Sequence, residues 1–179
     1  MPGVRLLNDD VAQRLRGAPY TYDAPGLTRD DGAALPGFVP LRRSRVIGAG
    51  RDCFEDAAES VMTWQVLCRS GIEPAVSAYR VAAGEVVQQR ISPLAPIVAP
   101  CRIVYAVDEH DRRGFAYGTL AGHPERGEER FLLSYEPSTG RVVFEVFSVS
   151  RPATLWLPAF PVLRSMQHLF VSRFLRALD

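Results

Sequence analysis

The chain has 179 residues, of which 47% are hydrophobic and 23% charged, and its formal net charge is +1. Those totals fit one domain able to bury its own core; they exclude a disordered chain, and they exclude a global field that would draw nucleic acid or an anionic membrane. All 21 basic residues are arginine, a bias that a GC-rich coding sequence explains, and without lysine both Schiff-base chemistry and a Walker-type phosphate site are excluded.

In chain order, VRLLNDDVAQRLRG is amphipathic over one or two helical turns, and APYTYDAPGLTRDDGAALPGF reads as ordered loop, rich in Pro, Gly and Asp. Residues 1–37 are therefore expected to form an extension packed on a single domain spanning 38–179. VPLRRSRVIG alternates as a strand, with Val39, Leu41, Arg43, Arg45 and Ile47 on one side; the arginines suit an edge. Asp52, with Glu55 three residues on, predicts a capping box at a helix start. Phe54, Ala57, Ala58, Val61, Trp64, Gln65 and Cys68 continue at helical spacing towards a glycine stop at Gly71.

From about Pro74 to Ser150 the period changes to two. Strands are expected near 76–81, 85–91, 102–108, 114–120, 129–136 and 141–149, separated by AAG, SPLAPIVAP, EHDRRG, AGHPERGE and EPSTG. Connections this short make an antiparallel meander, because parallel neighbours need long crossovers. After Arg151-Pro152, a helix with Pro161 in its first turn would place Leu163, Met166, Phe170, Phe174 and Ala177 on one face.

The order strand, helix, six strands, long helix is that of an α+β helix-grip fold: a curved antiparallel sheet of about seven strands wrapped around the C-terminal helix. Its helix-facing positions are expected to be Ile103, Tyr105 and Val107, then Phe115 and Tyr117, then Phe131, Leu133 and Tyr135, then Val142, Phe144 and Val146, with Glu145 outward. A bulge would flip some of these.

The stretch PCRIVYAVDEHDRRGFAYGTLAGHPERGEERF closely resembles the signature of the family called domain of unknown function 1990. Further matches lie in YTYDAPGLTR, IGAGRDCFEDAAESVMTWQV and FSVSRPATLWLPAFPVLRSMQ, so the resemblance runs from about Tyr20 to the end. The family is similar to the wider helix-grip superfamily of birch-pollen-allergen-like and START-like binders of lipids and small molecules. The resemblance implies a fold and a cavity and brings no known reaction.

The GHPERGEE segment holds the densest chemistry. His123, Glu125, Glu128 and Glu129 suggest an acid/base pair or a nitrogen–oxygen metal site. No second ligand stands at the spacing of a metal motif, and Pro124 and Gly127 are turn residues, so a structural turn is the preferred reading, ahead of a polar cavity rim. No metal and no cofactor are expected. GAGRDC, between a strand and a helix, lacks the third glycine of a dinucleotide loop; Arg51 at that helix start is a weaker candidate for holding an anion. Cys53 in the first turn is read as an inert thiol.

For a cavity, Trp64, Trp156, Tyr105, Tyr117, Phe131, Tyr135, Phe144 and Phe170 are candidate lining, with phenol hydroxyls and Gln167 as orienting groups. Arg151 is a candidate carboxylate clamp, against the commoner surface ion pair. No basic patch interleaved with aromatics points to nucleic acid, and no G-x-S-x-G elbow is present. Cys53, Cys68 and Cys101 have neither metal nor disulfide spacing. With no signal-peptide pattern and no run near the ~20 apolar residues of a membrane helix, a cytoplasmic location is expected. The leading expectation is a binder of a small hydrophobic or amphipathic molecule. The alternatives are an enzyme built on His123 with Glu125 or Glu128, and an interaction module using an exposed edge strand or the N-terminal segment.

Overall fold

The computed structural model describes residues 3–29, 36–91 and 97–179; the side chains at 157–160 and 163, and with them the expectation for Leu163, lie outside the described residues. The elements run β1 (Arg5–Leu6), α1 (Asp9–Gly17), β2 (Val39–Ala49), α2 (Arg51–Met62), α3 (Gln65–Arg69), β3 (Ile72–Val76), β4 (Val86–Ile91), β5 (Ile97–Asp108), β6 (Arg112–Thr119), β7 (Glu125–Glu136), β8 (Arg141–Pro152), a 3-10 turn (Thr154–Ala159) and α4 (Phe160–Arg176). One eight-stranded sheet has the order β1-β3-β4-β5-β6-β7-β8-β2. All its pairings are antiparallel except that of β1 with β3. The expected meander is present, with β2 on the far edge beside β8.

One face of the sheet carries the main core. Phe115, Phe131, Phe144, Leu133 and Val142 meet Phe54 and Val61 of α2, Val66 and Leu67 of α3, and Val171, Phe174 and Ala177 of α4. Phe131 stacks edge-on to Phe174 at 5.0 Å between ring centroids, which ties the middle of the sheet to the C-terminal helix. Fully burying each such ring contributes about 1.5–3 kcal/mol.

The other face is also covered. Ala12 and Leu15 of α1 pack with Val86 and Leu120, and Tyr22 and Leu27 pack with Phe147 and Val149. This is why Phe147 and Val149, on the side away from α2, α3 and α4, are nearly as deeply buried as the inward set.

Several local expectations are corrected. Asp52 is not the N-cap of α2: Gly50 occupies that position with φ +93°, without a side-chain cap, and Asp52 sits in the first turn, where its charge faces the positive end of the helix. Glu55 pairs with Arg51 instead of closing a capping box. The single long helix breaks at Trp64, whose φ of +66° swings α3 away so that both short helices follow the curve of the sheet.

The first meander strand is Ile72–Val76, not 76–81. Pro74 lies inside this strand, and among the described residues β3 is flanked on its outer side by just the two residues of β1, so the proline's missing N–H is tolerated. A bulge between Ile103 and Tyr105 flips the strand beyond it, so Tyr105 and Val107 lie on the outer face and not towards the helix. Glu145 does point outward, paired with Arg130.

The β6–β7 turn is shorter than expected. Glu125 to Glu128 already belong to β7, leaving a tight connection around Gly122 and His123. Gly127 is therefore a strand residue: at φ +147°, a Cβ there would sit 2.1 Å from the Val149 carbonyl oxygen. Only glycine allows β7 and β8 to come this close.

Candidate functional site

Between the concave face and α4 lies a cavity of about 90 Å³. At about 30 Å³ per liquid water, that is the volume of roughly three waters. Ile72, Ile91, Ile97 and Ala99 form one apolar wall from β3, β4 and β5, and Met166, Phe170 and Phe174 form the opposite wall on α4. The remaining lining is Pro124 and the polar side chains Gln89, Tyr117, His123, Glu125, Glu129 and Gln167. A second space of about 40 Å³ continues past Tyr117, His123, Glu125 and Glu129 to Thr119, Ser148 and Ser150. The site thus has an oily end and a polar end.

Strand alternation builds the polar end. Glu125, Glu129 and Phe131 share parity on β7, and the register sets Glu129 opposite Tyr117 on β6 and Ser148 on β8. The Tyr117 hydroxyl donates to Glu129 Oε2. Burial, helped by the nearby Glu125 charge, raises the Glu129 carboxyl to about 7, although the Tyr117 bond pulls the other way. Burial also raises Glu125, against a hydrogen bond from Ser150 and the charge of Arg164. The Tyr117 hydroxyl is itself pushed up, first by burial and then by the Glu129 charge.

His123 is held by its own turn. Nδ1 lies 2.9 Å from the Glu125 N–H, which donates to it in the Nε2–H tautomer, and 3.0 Å from the Glu125 carbonyl oxygen. Burial lowers the imidazole to about 4, so it is neutral near pH 7. From α4, Gln167 Nε2 reaches Ser148 Oγ and Ser150 Oγ, each at 3.0 Å, and Glu125 Oε2 at 3.3 Å. Arg164 Nη1 donates to Gln167 Oε1 at 3.1 Å and orients the amide. Gln167 is thereby the polar link between helix and sheet.

Of the candidate site residues singled out in the sequence, the cavity brings together His123, Glu125, Glu129, Tyr117, Gln167 and Phe170. Phe131 and Phe144 are fully buried core, Phe131 lying directly behind Tyr117 at 5.6 Å between centroids. Trp64 is also fully buried: its indole donates to the Ala78 carbonyl at 3.0 Å and its ring meets Phe115. Tyr135 lies at the other end of β7, under the Arg51 guanidinium. That arginine is engaged by Asp111 at 2.5 Å and the His110 carbonyl at 2.8 Å, which takes up the helix-start anion candidate.

Arg151 is exposed over Phe38, and Trp156 is half-buried on the 3-10 turn. The bulge puts Tyr105 on the outer face, where its hydroxyl meets Thr28 Oγ1 at 2.8 Å.

Glu128, grouped with His123 by sequence proximity, points to that outer face as well. It accepts from the Tyr22 hydroxyl (2.8 Å), the Gly26 N–H (2.7 Å), the Thr28 N–H (3.0 Å) and the Thr28 hydroxyl. Its carboxylate is fully used in clasping the N-terminal segment. The cavity carboxyl is its neighbour Glu129. The signal for that was present in the sequence: Glu129 shares the parity of Phe131, and Glu128 does not.

Among the described residues no three His, Cys, Asp or Glu side chains are grouped to hold a metal ion, and no helix is long and apolar enough to cross a membrane.

Residues 21–177 match the family model described as Domain of unknown function (DUF1990). The chain belongs to the DUF1990 family. This DUF1990 chain is similar to a UPF0548 protein of Dictyostelium discoideum, 30% identical over 139 residues that make up 70% of this chain and 64% of that one. It is 56% identical to a UPF0548 protein of Deinococcus radiodurans over 52 residues, 29% of this chain and 26% of the relative. The match thus spans less than two thirds of the length of these curated relatives.

Among solved structures, the Helicobacter pylori protein jhp0584 superposes with a TM-score of 0.59 at 9% identity, covering 90% of this chain and 97% of that one. Ginseng major latex-like protein 151 from Panax ginseng superposes at 0.53 with 18% identity, covering 79% and 97%. These likenesses show the fold, an α+β helix-grip arrangement with a C-terminal helix.

Proposed function

We propose that this DUF1990 protein binds a small amphipathic molecule in the space between its sheet and α4. The observation that carries the reading is the division of one cavity into an apolar half and a hydrogen-bonding half, with Tyr117, Glu129, Glu125 and His123 collected at one end. A void retained by packing alone would be lined throughout by apolar groups, because burying two carboxyls and an imidazole beside empty space opposes folding. The N-terminal residues 1–37 serve as an extension that braces the outer face through Glu128 and stands apart from the ligand. A reducing cytoplasm suits the three free thiols, two of them buried.

The test is uptake by the purified protein, read by displacement of a hydrophobic dye and by native mass spectrometry. Ala99→Phe fills the apolar wall and is expected to abolish uptake. Met166→Trp, on the half-buried face of α4, gives the same loss without touching the sheet. Uptake unchanged in both variants, each still folded, overturns the reading.

A second reading is favoured by one observation. Glu129, at about 7, faces the same space as a neutral imidazole, the arrangement of a general acid or base working near neutral pH. Proton exchange at a bound molecule is the chemistry this pair supports. Turnover lost in Glu129→Gln while ligand uptake persists would distinguish an enzyme from a carrier.

A further inference from the structure

We infer that the ligand of this cavity carries a basic nitrogen, so that an ammonium group meets Glu129 and Glu125 while its apolar body lies against Ile72, Ile91, Ile97 and Phe170. The inference rests on the binding reading above and adds the charge of the ligand's head.

Charge balance inside the cavity is the first argument. Among the described residues two carboxyls line it and no arginine does, although the chain carries 21 arginines. Elsewhere acidic groups have found guanidinium partners: Glu145 with Arg130, Glu85 with Arg16, Asp108 with Arg113. Among the described residues Glu129 has the Tyr117 hydroxyl alone, and Glu125 has Gln167 at 3.3 Å and Ser150, with the Arg164 charge acting on it from behind Gln167 and outside the cavity. A ligand cation supplies the missing positive charge in a place where water screens little.

Unused hydrogen-bonding capacity is the second. Among the described residues one Glu129 oxygen has no protein donor, and Glu125 is met only by the neutral donors Gln167 and Ser150. An ammonium brings three donors, enough for a Glu129 oxygen, a Glu125 oxygen and a carbonyl or water. An anionic head is excluded by the same charges: a fatty acid or phosphate would set a third negative group beside two carboxyls with no cation inside the cavity.

Size limits the body. About 90 Å³ beside about 40 Å³ accommodates a ring or short chain with a one- or two-carbon arm, and not a long acyl chain.

The groups facing Glu129 are Tyr117 from β6, Glu125 from its own strand, Cys101 from β5, Gln89 from β4, Gln167 from α4 and His123 from the turn. None is cationic near neutral pH. As pH rises through about 7 Glu129 becomes a carboxylate, so amine binding strengthens from pH 6 to pH 8. A neutral ligand shows no such gain.

The experiment uses three near-isosteric probes, 2-phenylethylamine, 2-phenylethanol and phenylacetate, titrated by calorimetry at pH 6 and pH 8. At pH 8 the amine is expected to bind about tenfold more tightly than the alcohol, the worth of one charge-assisted hydrogen bond, with phenylacetate weakest. Glu129→Gln is expected to erase the amine's advantage over the alcohol and its pH dependence. Alcohol or phenylacetate binding as tightly as the amine overturns the inference and leaves the cavity reading standing. No binding of any probe overturns the inference alone if the hydrophobic dye is still taken up, and defeats both if it is not.

Discussion

Glu128 and Glu129 are adjacent in β7 and have opposite fates. Glu128 turns to the outer face and meets four donors from the N-terminal segment. Glu129 turns to the concave face, meets one hydroxyl and looks into a cavity. Glu128 is 2% exposed and Glu129 keeps partial exposure towards the cavity, but exposure alone does not set their roles. Hydrogen-bond saturation does: a carboxylate with its lone pairs filled by its own chain is a structural clasp, and one left with free capacity beside a void is fitted for a ligand. The comparison locates the candidate site on one face of the sheet and gives the opposite face to holding the chain together.

The largest expected effect breaks the outer half of the comparison. Glu128→Ala strands the Tyr22 hydroxyl, the two backbone N–H groups and the Thr28 hydroxyl, and should lower stability by about 3–5 kcal/mol. Urea unfolding measures it. A loss below about 1 kcal/mol would mean that the N-terminal segment is held by its apolar packing and its other hydrogen bonds, such as Tyr105 to Thr28, and not by Glu128.

The next effect sharpens the inner half. The folded Glu129 carboxyl keeps its proton up to about 7 while the unfolded one releases it near 4.5. Between those values the folded state binds the extra proton, so this group lowers stability as pH rises. Glu129→Gln removes that dependence, and the variant should gain on the parent by about 3 kcal/mol between pH 4.5 and pH 7.

His123 has the opposite sign. Lowered to about 4, it contributes stability above pH 6.5 that disappears as pH falls through 4. From about pH 4.5 to 6.5 the two slopes cancel in the parent protein, and Glu129→Gln should uncover the histidine's rising slope. Matched unfolding curves across pH decide it; a pH-independent difference between variant and parent would place Glu129 in ordinary solvent.

The smallest effect is at Tyr117→Phe, which deletes the only hydroxyl bonded to Glu129. Stability should fall by about 1 kcal/mol, and the Glu129 carboxyl should titrate above 7, since the lost bond was holding it down. Carbon-detected NMR of the side-chain carboxyl reads the shift, and a downward movement would contradict the assigned bond.

The architecture was legible because it follows from local signals. Period-two runs and turn residues predict the meander, and the apolar spacing after Pro161 predicts α4. Three features were hidden because they depend on long-range packing. The bulge at Ile103 to Tyr105 turns Tyr105 outward without a mark in its own residues. The break at Trp64 leaves the helical pattern intact on both sides. The covering of the outer face comes from a segment that reads only as loop, with Tyr22 and Thr28 reaching Glu128 across about a hundred positions of sequence.

The candidate site divides along the same line. His123 and Glu125 stand together because they share one turn, and proximity in sequence shows them. Gln167 joins Glu125 from 42 residues away, and Glu128 leaves the group because side chains alternate along a strand. Residue order alone determined the class of fold, the sheet's meander and the apolar stripe of the closing helix, since each arises from interactions within a few residues. Which carboxyl faces the void, and that the void has a polar end at all, was decided only when β6, β7, β8 and α4 came together, because hydrogen-bond saturation and distance from water are properties of the packed molecule.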